Sequence, residues 1–228
     1  MVLQRGAETT VWGWADPNEA VSIELDGGTY RGRADTDGRW EILLRDLPAG
    51  GPYTMQVTGE NRLVIEDVLV GDVWVCSGQS NMELPMNRVR DRYRQVMAET
   101  NNPRIRQFKV PREYDFNEVR ADVSSGRWES ATPAHLADFT ATGFFFADAL
   151  YARYQVPIGL INTALGGSPA EAWLSEAALK GFPEHYQTAM RYRDADYRRQ
   201  IEIQNRTRQE QWYSHLHRQD RGIVGGQM

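Results

Sequence analysis

The first part of the chain alternates apolar and polar residues in short stretches that are separated by turn residues. Val21, Ile23 and Leu25 alternate with polar positions, and residues 26–28 follow as a hairpin turn. The same two-residue period recurs further along, with turn residues between the stretches. Evenly spaced short strands of this kind are typical of an antiparallel β-sandwich. The pattern therefore predicts a β-sandwich amino-terminal domain over residues 1–66.

From residue 67 onward the pattern changes to longer apolar runs and helical periods. Residues 73–76 form a continuous apolar run, which predicts a strand covered on both faces. An apolar helix is expected over residues 141–154, and a strand over residues 158–162. Because alternating strands and helices build a parallel sheet, residues 67–228 are predicted to form a partial α/β domain.

Three further elements are predicted within this second part. A polar helix is expected over about residues 88–99, a strand over residues 105–110, and a long charged helix near residues 188–220. Only about three parallel strands can be recognised, whereas sheets usually contain roughly 4–6 strands. The parallel sheet is therefore expected to be incomplete.

Composition narrows the class of protein. The 228 residues, 41% hydrophobic and 25% charged, are ordinary for a globular protein with a sizeable core. A net charge of −5 disfavours a nucleic-acid binder, which usually carries a basic face. The apolar runs are too short to span a bilayer, and the single cysteine, Cys76, excludes an internal disulfide. Neither a nucleic acid nor a membrane is therefore expected as a partner.

Serine chemistry is suggested by the turn that follows the apolar run at residues 73–76. Gly78 permits a sharp backbone turn there, so that Ser80, two residues later, projects free of the sheet. Open parallel sheets bind their ligands beyond the carboxyl ends of the strands. A serine in this place is a nucleophile if a base removes its proton, and otherwise it caps the next helix.

A second, glycine-rich loop follows the next parallel strand. Its Gly166 and Gly167 offer unobstructed backbone N–H groups, which suit the oxyanion of an acyl-transfer intermediate. Since parallel strands end at the same edge of a sheet, this loop is expected beside Ser80. Ser168 with Glu171 three residues later also fits a capping box, so that a plain helix start is the alternative interpretation.

These residues resemble two sequence blocks of the sialate O-acetylesterases, a family of the SGNH-hydrolase superfamily. The family's nucleophile block is matched in this chain by Gly71-Asp72-Val73-Trp74 followed by Gly78-Gln79-Ser80-Asn81-Met82. The family's second block is matched by Gly159-Leu160-Ile161-Asn162 followed by Gly166-Gly167-Ser168. The first residues of the chain look like the family's amino-terminal sandwich, so that the resemblance covers nearly the whole sequence.

The resemblance implies a serine esterase that removes O-acetyl groups from sialic acids or related acetylated sugars, without a metal or organic cofactor. In that scheme Ser80 attacks the acetyl carbonyl, and the N–H groups of Ser80 and Gly167 hold the oxyanion. Gly166, Gln79 and Asn81 are expected to line the same oxyanion and substrate site. The implied hydrolase domain has a flavodoxin-like parallel sheet.

Other parts of the family's machinery have no counterpart in the sequence. The third family block, with its Gln-Gly-Glu run, and the Asp-x-x-His that supplies the base are absent. No aspartate lies three residues before any of the four histidines, which are His135, His185, His215 and His217. The chain is therefore expected to be an amino-proximal piece of a longer esterase, with little or no activity alone. It begins without a basic-then-apolar signal segment, whereas family members are often exported, periplasmic or lysosomal.

The tryptophans of the predicted sandwich suggest an alternative function, which is carbohydrate binding without catalysis. Trp12, Trp14 and Trp40 bind sugar if they are exposed, and pack in the core if they are not. In this alternative the chain is a non-catalytic carbohydrate-binding β-sandwich module with a vestigial hydrolase domain. A flavodoxin-like nucleotide binder is less favoured, because the turns lack a Gly-x-Gly-x-x-Gly phosphate loop.

Overall fold

The computed structural model describes residues 1–219 of the chain. The chain forms two compact units, each of which makes most of its residue contacts within itself. The first unit consists of residues 1–112 and 123–168, and the second of residues 113–122 with the chain from residue 169 onward. All of the strands within the described residues belong to the first unit.

The strands form one large sheet and one small sheet. The bounds are β1 (Val2–Gln4), β2 (Thr9–Trp14), β3 (Ala20–Leu25), β4 (Gly28–Arg33), β5 (Arg39–Leu44), β6 (Gly50–Thr58), β7 (Arg62–Cys76), β8 (Asn102–Lys109), β9 (Trp128–Ala131) and β10 (Ile158–Asn162). The eight-stranded sheet has the order β4-β3-β6-β7-β10-β8-β9, with β1 paired to β7. Strands β2 and β5 form a separate antiparallel pair. The large sheet is mixed, because β10 is parallel to both β7 and β8 whereas β3, β4 and β6 are antiparallel.

Strand β7 is fifteen residues long and takes part in both kinds of pairing. Its first part, residues 62–70, pairs antiparallel with β6. Its last part pairs parallel with β10, and Cys76 lies opposite Asn162 where both strands end. The domain boundary predicted between residues 66 and 67 therefore falls inside a continuous strand, and the two-domain division stays a prediction.

One hydrophobic core lies between the two-stranded sheet and the antiparallel strands of the large sheet. Trp40, Ile42 and Leu44 of β5 are buried there against β3, β6 and β7. Gly13 of the neighbouring strand β2 is paired with Trp40 and leaves space for its indole, since a Cβ at Gly13 would lie 2.7 Å from the Trp40 ring. The alternating apolar positions of the first part thus form a buried face, as the sequence predicts.

A second core lies around α3 (Ala141–Tyr154), which packs against β10. The helix begins after Thr140, whose side chain accepts the Gly143 N–H, and it ends at Gln155 in the left-handed conformation. The helix lies close to both neighbouring strands, because a Cβ on Gly143 would lie 3.0 Å from the Cys76 Sγ of β7 and 3.4 Å from the Leu160 Cδ1 of β10. The predicted bounds of this helix and of β10 are confirmed.

The apolar run at residues 73–76 is not covered on both faces, so that this prediction is wrong. Trp74 is 44% exposed and Val75 is 65% exposed. Successive strand residues point to opposite faces of a sheet, so that each face is partly open there. The ring of Phe146 contacts Trp74 edge to face at 5.0 Å, but Phe146 is itself exposed and therefore covers it only in part.

Two other elements of the first unit differ from the prediction in their bounds. The polar helix predicted over residues 88–99 is a 3-10 turn, Met86–Val89, followed by α2 (Arg94–Glu99), because Tyr93 between them leaves the helical conformation. The strand predicted over residues 105–110 is β8. A further 3-10 turn, Leu136–Asp138, precedes α3.

The second unit is helical. Its elements are a 3-10 turn (Ala170–Trp173), α4 (Glu176–Leu179), α5 (Pro183–Arg191) and α6 (Ala195–Gln219). The long helix predicted near residues 188–220 is divided into α5 and α6, because the Asp194 carboxylate accepts the N–H of Asp196 at 2.8 Å and begins a new helix. Residue 220 lies outside the described residues. No helix within residues 1–219 is both long and apolar enough to cross a membrane.

Candidate active site

Ser80 begins α1 (Ser80–Glu83), a single helical turn that follows the carboxyl end of β7. The chain turns at Gly78, whose φ of +130° is rarely adopted by residues with a side chain. Gln79 then takes an extended conformation immediately before the helix. The serine is exposed and lies at the edge of the sheet where ligands of parallel strands bind.

The glycine-rich loop after β10 lies directly beside this serine turn. The Thr163 N–H donates to the Cys76 carbonyl at 3.0 Å, and the Leu165 N–H donates to the Gly78 carbonyl at 2.9 Å. The Gln79 side-chain amide also donates to the Ser168 carbonyl. The expectation that both loops lie at one edge of the sheet is therefore confirmed.

Gly166 and Gly167 have different surroundings in this loop. A Cβ on Gly166 would lie 3.6 Å from the Ser80 Cα, so that the two backbones approach closely. The Gly166 N–H donates to the Glu83 Oε2 at 2.5 Å, and is therefore occupied. Gly167 has a φ of +80°, and a Cβ there would meet nothing within 4 Å. The surroundings of Gly167 are thus open, whereas the Gly166 N–H is already bonded to Glu83.

Glu83 connects the two loops through its carboxylate. Its Oε2 accepts the Gly166 N–H, and its Oε1 pairs with the guanidinium of Arg112. The side chain is 25% exposed, so that solvent screens these contacts only in part. Charge-assisted hydrogen bonds of this kind are shorter and stronger than neutral ones. The carboxylate therefore holds the glycine-rich loop against the helix that begins with Ser80.

The other side of α1 is held by the residues at the start of α3. The buried hydroxyl of Thr140 donates to the Met82 carbonyl. The Ala141 N–H donates to the Leu84 carbonyl at 2.8 Å, and the Thr142 hydroxyl donates to the Asn81 carbonyl at 3.1 Å. Consequently α1 is fixed from two directions although it is only one turn long.

Comparison with known proteins identifies the family. The sequence profile described as carbohydrate esterase, sialic acid-specific acetylesterase matches residues 70–205, which is more than half of the chain. The chain belongs to this acetylesterase family. The sialate O-acetylesterase of Homo sapiens is 31% identical over 201 residues, which cover 79% of this chain and 38% of the human protein. That of Mus musculus is 29% identical over 201 residues, which cover 79% of this chain and 37% of the mouse protein.

A solved structure is similar over most of this acetylesterase-family chain. The crystal structure of a carbohydrate acetylesterase from Xanthomonas citri superposes with a TM-score of 0.75 and 43% sequence identity. The match covers 81% of this chain and 42% of the bacterial protein. The chain thus spans well under half the length of the relatives that it matches.

The structure brings together four of the site residues that were predicted for this family member. Ser80, Gln79, Gly166 and Gly167 lie in the two adjacent loops. Asn81 is exposed on α1 next to them, and its carbonyl accepts the Thr142 hydroxyl. The nucleophile, oxyanion and substrate roles of these residues stay predictions.

The histidines of this acetylesterase-family chain have other surroundings. The Nδ1 of His185 lies 3.5 Å from the Glu171 Oε1. His135 precedes the 3-10 turn at residues 136–138, and its Nδ1 is buried without a hydrogen-bond partner in the structure. His215 and His217 are exposed on α6. None of these environments identifies a base for Ser80.

Cys76, directly before the turn, also has a side chain that can act as a nucleophile. It is 4% exposed at the end of β7, and its burial raises the pKa of the thiol above the ordinary value of 9.0. The thiol therefore stays protonated and unreactive near neutral pH. The exposed Ser80 is therefore a better candidate nucleophile than this buried thiol.

Sequence reasoning missed Glu83. The available signal was an acidic residue in the first turn of the helix that begins with Ser80. Its two partners, Gly166 and Arg112, are far away in the sequence and form no recognisable motif with it.

Proposed function

We propose that this chain carries the serine half of an esterase that removes O-acetyl groups from sialic acids or related acetylated sugars. The observation that supports the proposal is the close approach of Ser80 to the Gly166–Gly167 loop, where a Gly166 Cβ would lie 3.6 Å from the serine Cα. The names of the related proteins, sialate O-acetylesterase and carbohydrate acetylesterase, agree with it.

The proposed reaction begins when the Ser80 Oγ attacks the carbonyl carbon of the acetyl ester. A base takes the serine proton, and the N–H groups of Ser80 and Gly167 stabilise the tetrahedral oxyanion. The ester C–O bond then breaks, and the sugar leaves as an alcohol that carries the transferred proton. Water hydrolyses the acetyl-serine to acetate and restores the hydroxyl. Gln79 and Asn81 are proposed to contact the substrate beside this centre.

The fold that we propose for this function is a β-sandwich over residues 1–66 followed by a partial SGNH-hydrolase domain over residues 67–228. The two packed layers around Trp40 support the first part. The parallel pairing of β7, β10 and β8, with α3 packed on β10, supports the second.

We further propose that the chain lacks its catalytic base and has little activity alone. Loss of the base histidine in a serine-nucleophile enzyme lowers kcat by on the order of 10⁶-fold, and oxyanion stabilisation and binding leave about 10³-fold over water. With p-nitrophenyl acetate the purified chain should therefore turn over no faster than its Ser80→Ala variant.

Added imidazole tests the nucleophile separately from the missing base. As an external base it should increase acetylation of Ser80 by p-nitrophenyl acetate, measured by mass spectrometry of peptides. Ser80→Ala should abolish this modification. Ser77→Ala is the matched control, because Ser77 is exposed in the same turn, and it should leave the acetylation unchanged.

Two results would contradict these proposals in different ways. Acetylation of Ser77 instead of Ser80 would show that the nucleophile is wrongly assigned. Rapid turnover that depends on Ser80 without imidazole would show that a base is present, and His135, His185, His215 and His217 would then be substituted in turn.

A further inference from the structure

The three tryptophans of the amino-terminal strands have different environments. Trp40 is 7% exposed and belongs to the core, which excludes it as a ligand contact. Trp14 is 64% exposed at the end of β2. Trp12, two residues earlier, shares its face of the strand, and the two rings meet edge to face with centroids 5.2 Å apart. The contact orients a large indole surface that is open to solvent.

An open cavity of about 560 Å³ adjoins this indole. It is lined by Trp14, Ala15, Asp16, Glu19, Glu60 and Asn61. Sites for small molecules typically have volumes of about 300–1,000 Å³ and combine apolar surface with a few polar groups. One aromatic ring beside carboxylate and amide groups has the chemistry that recognises a pyranose, whose C–H face is apolar and whose edge carries hydroxyl groups.

Glu19 holds the two walls of the cavity together. Its carboxylate accepts the N–H of Glu60 at 2.5 Å and the N–H of Asp16 at 2.8 Å. These hydrogen bonds lower the pKa of Glu19, and the one from the Glu60 N–H has the larger effect. The carboxylate therefore remains ionised in mildly acidic solution. Because both walls are tied to one side chain, the cavity is preorganised and a ligand need not order it.

Three polar side chains at the cavity remain available to a ligand. Within residues 1–219 the side chains of Asp16, Glu60 and Asn61 are exposed and make no hydrogen bond or ion pair with the protein. Two carboxylates can accept hydrogen bonds from sugar hydroxyls, and the amide can both donate and accept.

The charge of the cavity limits the kind of sugar. Asp16, Glu19 and Glu60 are acidic, and the lining contains no basic residue. Arg39 lies over the Trp12 ring at 5.8 Å, but its charge is balanced by Glu41 at 2.7 Å. An anionic sugar would therefore be repelled, whereas a neutral one meets the carboxylate acceptors, the Asn61 amide and the indole without this repulsion.

We propose that the Trp14 cavity is a binding site for a neutral pyranoside, separate from the acetylated substrate of Ser80. The sugar ring stacks on the Trp14 indole, and its hydroxyls donate to Asp16 and Glu60. The site attaches the protein to neutral residues of a glycan and does not depend on the chemistry of the serine.

Titration with neutral disaccharides, observed through the indole N–H resonance of Trp14, tests this proposal. Lactose, cellobiose and xylobiose are the probes, and at least one of them should shift this resonance in a saturable way. Trp14→Ala should weaken binding of that probe about tenfold or more, because it removes the stacking surface. The affinities of the Trp14 variants, which lack the reporting indole, are measured by isothermal titration calorimetry beside the unmodified protein. Trp14→Phe should retain part of the affinity. Trp212→Ala is the matched control, since Trp212 is 56% exposed on α6, and it should bind like the unmodified protein.

The charge argument has its own test. The methyl glycoside of N-acetylneuraminic acid should leave the Trp14 resonance unchanged, and Asp16→Asn combined with Glu60→Gln should reduce this discrimination against the anion. The proposal is overturned if none of the three neutral sugars shifts the resonance, or if the anionic glycoside binds as tightly as they do. Ser80→Ala should leave sugar binding unchanged, so that failure here is distinguishable from failure of the esterase proposal.

Discussion

Replacement of Glu83 by alanine should release the glycine-rich loop from the helix that carries Ser80. The substitution removes the acceptor of the Gly166 N–H, bonded at 2.5 Å, and the partner of Arg112. A hydrogen bond to a charged group contributes about 1.5–3 kcal/mol. The ion pair adds little, about 0–1 kcal/mol, because Arg112 is 53% exposed. We therefore expect local opening of the loop to become easier by about 2 kcal/mol.

Hydrogen exchange of the Gly166 amide measures this change directly. A difference of about 2 kcal/mol corresponds to about 30-fold faster exchange, since 1.36 kcal/mol is a factor of ten. Glu83→Gln keeps an acceptor oxygen but removes the charge, so that its exchange rate should lie between those of the alanine variant and the unmodified protein. Arg112→Ala should change the rate only slightly.

Glu129→Ala provides the matched control for Glu83→Ala. Glu129 is 22% exposed and pairs with Arg127, so that its burial and its partner resemble those of Glu83. It lies on β9, and its loss should leave the Gly166 amide unaffected. If Glu83→Ala is folded and its Gly166 amide exchanges at the same rate as in the control, the carboxylate does not hold the loop and the reasoning fails.

Two further predictions concern the packing beneath the serine turn. Gly143→Ala should lower the free energy of unfolding, measured by urea denaturation, by about 1–3 kcal/mol, because its Cβ would lie 3.0 Å from the Cys76 Sγ. An unchanged midpoint of the urea unfolding curve would contradict the close packing. The Cys76 thiol should react with iodoacetamide much more slowly in the native protein than in urea. Burial raises the pKa of this thiol above 9.0 in the folded protein, so that as the pH rises the thiol ionises more readily in the unfolded chain than in the folded one. The free energy of unfolding should therefore fall above pH 9.0 in the unmodified protein, and should fall less in Cys76→Ala.

The elements that sequence patterns predicted well are those whose own apolar pattern is continuous, and the structure adds the residues that end them. Thr140 caps α3 with its side chain, and Gln155 ends it in the left-handed conformation. The following strand, β10, is a short apolar run that is buried at nearly every position. An apolar run of this kind lies within the element itself, so that it can be recognised without knowledge of the fold.

The features that sequence patterns missed depend on distant partners. Strand β7 is fifteen residues long because two different neighbours, β6 and β10, extend the pairing along it. Glu83 acquires its role only because the chain returns to it at Gly166 and at Arg112. The break between α5 and α6 has a local cause in Asp194, but the continuous charged pattern around it obscured the signal.

The position of Ser80 is a property of the whole fold and not of its own helix. An isolated turn of four residues is far below the length at which helices are stable in water, about 12–15 residues. Here α1 persists because β7 and β10 place both loops at one edge, Glu83 holds one side, and Thr140 holds the other. A substitution at any of these contacts is therefore expected to shift the Ser80 turn relative to the glycine-rich loop without replacing a residue of either loop. The proposed oxyanion would need donors at about 2.7–3.1 Å, so that on the proposed mechanism these distant contacts are expected to affect acyl transfer at Ser80.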